Sequence, residues 1–84
     1  MNYSLFWTDR SHKDLEKLPS HLSKRIVDKI ESLSEDPHRT AERCEGYPYF
    51  HQRVGAYRII LEIDDKELLI SVLKVGPRKK VYDR

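Results

Sequence analysis

One cysteine, Cys44, is present among 84 residues, so no disulfide can close within the chain, and a reducing compartment is expected. No apolar run approaches the roughly 18 residues of a membrane-spanning helix. The opening "MNYSLFWTDR" lacks the basic start and apolar stretch of a secretory signal. The four histidines, His12, His21, His38 and His51, show no ligand-like spacing, so neither a structural zinc nor any other cofactor is expected. Repeats, low-complexity tracts and signals of a second domain are missing too. The expectation is one small, soluble, cytoplasmic domain spanning residues 1–84, with the thin stability margin of its size.

What the chain does have is charge placed unevenly. The net charge of +2 is too small to identify a nucleic-acid partner. From Phe50 onward, however, eight Lys/Arg face five Asp/Glu, leaving the first 49 residues at −1. Cations gathered late in the chain suit a phosphate-facing patch; an ordinary solvated surface is the alternative.

The hydrophobic pattern predicts the elements. "YSLFW" is long enough for one strand, with Phe6 and Trp7 expected in the core. Ser11 and Asp14 have the spacing of a capping box, predicting a short helix that carries Leu15 and Leu18 and ends at Pro19. A second helix starts near Ser20, since Leu22, Ile26, Ile30 and Leu33 recur at helical spacing. "SEDPHRTAERCEG" reads as a connection. Strands follow in "YPYFHQR", in "YRIILEI" and, after the turn "DDKE", in "LLISVLKV". Strict alternation puts Tyr57, Ile59, Leu61 and Ile63 on one side and Arg58, Ile60 and Glu62 on the other. The expected fold class is α+β: an N-terminal strand and a helical hairpin packed on a twisted antiparallel sheet. If the Tyr57 side is buried by the helices, Arg58 stands on the open face.

The segments "RVGAYRIILEI" and "LLISVLKVGPRKKVY", with the upstream "LEKLPSHLSKRI", resemble the RelE/ParE superfamily of microbial toxins over nearly the whole chain. The paired signature R-x-G-x-Y-R and V-G-x-R-x-x-V-Y carries most of that resemblance. It implies a RelE-like, microbial-ribonuclease-like fold and a RelB-like antitoxin partner in a toxin–antitoxin hetero-oligomer. On the RelE pattern it further implies a ribosome-dependent messenger-RNA endonuclease that works without a metal through attack of the ribose 2′-hydroxyl. A ParE-like inhibitor of DNA gyrase, or a toxin without activity, is the alternative. The resemblance implies catalytic roles for Arg58, Arg78 and Tyr82. Where RelE-type toxins often carry strand lysines, this chain has Tyr49 and His51.

The chemistry itself needs a proton acceptor, a stabiliser for the phosphorane and a proton donor. Arginine forks suit the second task but are poor bases, because their pKa lies above about 12. His51, of a type that titrates near ~6.5, is poised for proton transfer, and it shares strand parity with Arg53. A plain sheet-edge histidine is the competing reading, as an Arg58–Glu62 pair is for Arg58. Arg53, Lys74, Lys79 and Lys80 are the expected RNA-binding cations.

Overall fold

A computed structural model describes residues 2–77. Its elements are β1 (Ser4–Trp7), α1 (Asp9–Glu16), α2 (Ser20–Ser32), a 3-10 turn (Pro37–Arg39), β2 (Glu42–Arg43), β3 (Phe50–Val54), β4 (Tyr57–Asp64) and β5 (Leu69–Pro77). No described helix is long and apolar enough to cross a membrane.

The first helix starts one turn earlier than the capping-box reading places it. Thr8, extended at φ −68° and ψ 163°, is the N-cap, and its hydroxyl accepts from the Ser11 amide at 3.1 Å. Ser11 instead donates to the Thr8 carbonyl at 2.8 Å. Asp14 does not reach back to the helix start; it accepts from the Val75 amide of β5 at 2.9 Å. Pro19 then separates the helices and is itself the N-cap position of α2. The Ser23 hydroxyl donates to the Leu15 carbonyl at 2.8 Å, satisfying an end-of-helix acceptor and fastening α2 to α1.

The five strands form one sheet in the order β1-β5-β4-β3-β2. Neighbours from β2 to β5 are antiparallel, whereas β1 lies parallel to β5 and makes the sheet mixed. β5 is therefore interior along Leu69–Val72, as its apolar sequence suggests. β2 lies inside the stretch read as a connection; a two-residue pairing carries no hydrophobic period to betray it.

Helices cover one face only. Ile26, Ile30 and Leu33 of the α2 stripe bury against Val54, Ile59, Leu61, Ile70, Val72 and Val75. Burying an isoleucine side chain is worth about 1.5–3 kcal/mol, so this layer supplies the main driving force. A bulge keeps β5 in register with that core. Ile60 is opposite Lys74, but Leu61 is opposite Val72, which leaves Leu73 as the extra residue. The shift lets Ile70, Val72 and Val75 all face the helices, although strict alternation would have put Lys74 there.

Thr8 reinforces the bulge: its hydroxyl lies 2.9 Å from the Val72 carbonyl and 3.1 Å from that of Leu73. Trp7 packs on the core as expected. Phe6 does not; it is 56% exposed, because its partner Ser71 points to the outer face.

Candidate active site on the outer face of the sheet

Strand register brings the cations together. Arg53 of β3 is directly opposite Arg58 of β4, and directly opposed residues project to the same side. His51 is opposite both Ile60 of β4 and Glu42 of β2, and Ile60 is opposite Lys74 of β5. Ile59 and Leu61 are buried toward the helices, so Arg58 and Ile60 occupy the outer face. Four sequence-predicted residues, His51, Arg53, Arg58 and Lys74, thus share one surface drawn from three strands.

That surface has an apolar floor. Cys44 and Ile60 form a second, smaller cluster with Tyr49 and Leu73 against them. The Cys44 amide donates to the Tyr49 carbonyl at 2.8 Å, folding the β2–β3 turn onto the sheet, while Gly46 at φ 82° supplies the left-handed residue of that turn. Arg53 is exposed and Lys74 half-buried. Arg58 is less open than its strand parity suggests, at 7% exposure, and His51 is equally buried. Charges rising from an apolar floor interact more strongly than charges in water.

The electrostatics of His51 follow from this setting. Burial pushes its pKa below the ordinary imidazole value, and the guanidinium of Arg58 pushes the same way. Glu42 opposes both, with its Oε1 3.6 Å from His51 Nε2, and Arg53 adds a smaller lowering. The imidazole is therefore held neutral near neutral pH, which is the state that accepts a proton. Once protonated it would face a carboxylate. Glu42 went unnoticed in the sequence: an exposed acid in a polar segment carries no signal until β2 pairs with β3.

The hairpin joining β3 to β4 is tight. Gly55 takes φ 59°, and a side chain there would meet the Arg25 guanidinium of α2 at 3.4 Å. Arg53 and Arg58, the two arginines of R-x-G-x-Y-R, consequently sit at the base of a turn braced from behind by a helix. Arg78, Lys79, Lys80 and Tyr82 lie outside the described residues.

A family model described as the ParE toxin of type II toxin-antitoxin systems, parDE, matches residues 5–82. The chain is 32% identical to Toxin RelG of Mycobacterium tuberculosis over 87 aligned positions, covering the whole of both. It is 26% identical over 83 positions to the mRNA interferase toxin RelE of Escherichia coli, covering 95% of this chain and 87% of that one. In three dimensions it matches a chain in the crystal structure of the RelBE2 toxin-antitoxin complex of Mycobacterium tuberculosis. That match has a TM-score of 0.82 at 31% identity and covers 93% of each chain.

Proposed function

The chain belongs to the RelE/ParE superfamily of type II toxin–antitoxin toxins, and from that membership we propose that it is a RelE-like endoribonuclease that cuts messenger RNA on the ribosome and so stops translation. The observation that carries this reading is the convergence of Arg53, Arg58, Lys74 and a neutral-leaning His51 on one outer face. A sheet face that only had to be solvated would gain nothing from setting two arginines directly opposite one another.

In the proposed reaction the ribose 2′-oxygen attacks the adjacent phosphorus as His51 takes its proton. The bond from phosphorus to the 5′-oxygen breaks, that oxygen collects a proton, and a 2′,3′-cyclic phosphate remains. Arg58 and Arg78 pair with the non-bridging oxygens as charge builds on the phosphorane. Glu42 steadies the imidazolium that His51 becomes. Tyr82, assigned by its motif, supplies the proton to the leaving oxygen or stacks on the base. Lys79 and Lys80, with Arg53 and Lys74, hold flanking phosphates. The ribosome supplies the in-line geometry that so weak a base cannot enforce alone.

A RelB-like antitoxin is the proposed partner, masking the cationic face in a toxin–antitoxin hetero-oligomer. The name of the matching family model favours one rival, gyrase inhibition of the ParE kind. Expression without antitoxin separates the two. Cuts mapped within translated codons, abolished by Arg58→Ala, support the nuclease; an induced DNA-damage response with intact messages refutes it.

A further inference from the structure

Past the end of β1, the outer edge of β5 faces α1 instead of another strand, and a groove of about 350 Å³ runs between them. Sheet edges normally invite a further strand. This one is sealed. Thr8 donates to the Val72 and Leu73 carbonyls, Asp14 takes the Val75 amide, and Pro77 has no N–H to offer. Among the described residues, these contacts take two carbonyls and one amide that a docking strand would need.

What the groove presents instead is positive charge. Arg10, Lys17 and Lys74 line it, against one acid, Asp14. Arg10 of α1 and Lys17, the helix's C-cap residue, are seven residues apart, on one helical face and about 10 Å apart along the axis. Asp14 is already engaged by Arg10 Nε at 3.1 and 3.2 Å, as well as by β5, while the Arg10 side chain remains 65% exposed. Tyr57 adds an aromatic wall. Lys74 belongs to both places: it lines the groove and shares the outer face with Arg58.

We propose that this groove holds the sugar–phosphate backbone of single-stranded RNA flanking the cut, with Lys17 and Arg10 each neutralising a phosphate. The inference rests on the RNA-cleaving reading and extends it from a reaction centre to a binding track that rounds the β5 edge. Cations beside an aromatic wall are what a sequence-tolerant single-strand site requires. Lys74 is the hinge between centre and track.

The test uses the purified full chain and two RNA oligonucleotides with a 2′-deoxy sugar at the cut, one spanning only the outer face and one long enough to enter the groove. Lys17 is exposed, so Lys17→Gln should fold, which thermal melting verifies. Lys17→Gln should weaken the long oligonucleotide roughly fivefold and flatten the slope of log affinity against log salt by about 0.7, while sparing the short one. Lys17→Arg should restore both.

Long-oligonucleotide affinity unchanged in Lys17→Gln, or no better than short-oligonucleotide affinity in the unsubstituted chain, overturns the groove while ribosomal cleavage still stands. A loss confined to antitoxin capture also overturns it, by assigning the groove to a protein. If the unsubstituted chain neither binds RNA nor cuts ribosome-bound message, the nuclease reading falls and the groove with it.

Discussion

Replacing Arg58 with methionine separates what this residue contributes to folding from what the proposed nuclease reading assigns to it in RNA cleavage. Arg58 as a whole is 7% exposed, stands directly opposite Arg53, and lies close enough to His51 to depress its pKa. Taking a cation out of water costs several kcal/mol, and relief of that cost on exchange for an apolar side chain of similar size offsets the contacts that the guanidinium gives up. A like charge directly opposite adds a penalty of about 0.2–1 kcal/mol. Methionine keeps most of the stem and settles on the floor made by Cys44 and Ile60.

Arg58→Met should therefore leave stability unchanged or raise it by up to about 1 kcal/mol, which for a chain of this size is a melting shift of up to about 6 °C. Loss of a preorganised charge at the phosphorane should lower the cleavage rate by about 10²–10³. Thermal or urea unfolding of the purified chain gives the first quantity. Single-turnover cleavage of ribosome-bound message gives the second. A stability loss beyond about 1 kcal/mol would make Arg58 a structural residue. Cleavage within about tenfold of the unsubstituted rate would refute the phosphate clamp.

Thr8→Val removes a helix cap and the hydroxyl that serves the β5 bulge, worth about 1 kcal/mol each, so a loss near ~2 kcal/mol is expected in urea unfolding. Thr8→Ser keeps both contacts and should stay within about 0.5 kcal/mol; an equal loss in the two variants would show that the methyl group, not the hydroxyl, matters. Because burial holds the His51 pKa below its unfolded value, the unfolded chain binds more protons as pH falls below about 6.5, and stability present above that value is lost progressively toward the lower folded pKa. His51→Gln should flatten this acid loss and remove the acid limb of the cleavage profile; an unchanged limb would take His51 out of the reaction.

The elements that could be read from the sequence were those whose side chains obey a period. The Leu22–Leu33 stripe predicted α2, and the alternation from Tyr57 to Ile63 put Ile59 and Leu61 in the core with Arg58 on the other side. Failures came where hydrogen bonding rather than hydrophobicity decides. Thr8 and Ser11 both precede a helical turn, and the choice between them fell to the residue whose hydroxyl also meets β5. "LLISVLKV" is so evenly apolar that its bulge leaves no mark, yet the bulge is what sends Lys74 outward. Phe6 followed strand parity rather than hydropathy. Glu42 acquires meaning only through its register with His51.

The same parity polarises the outer face along β4. Arg58 stands at one end, while Glu62 and Asp64 project from the same side farther along. Four residues of strand separate Arg58 from Glu62 by about 13 Å, which exceeds the Debye length of about 8 Å at physiological salt. The acids therefore leave the field at the cationic end largely intact, although they bring the whole chain close to neutral. A near-neutral chain with a strong local field binds polyanions weakly in general and firmly at one place. For a phosphate chain gripped at Arg58, continuing along β4 would mean passing Glu62 and Asp64. Crossing the strands toward Lys74 and α1 keeps it among cations, so on the proposed reading the message runs across the sheet and not along it.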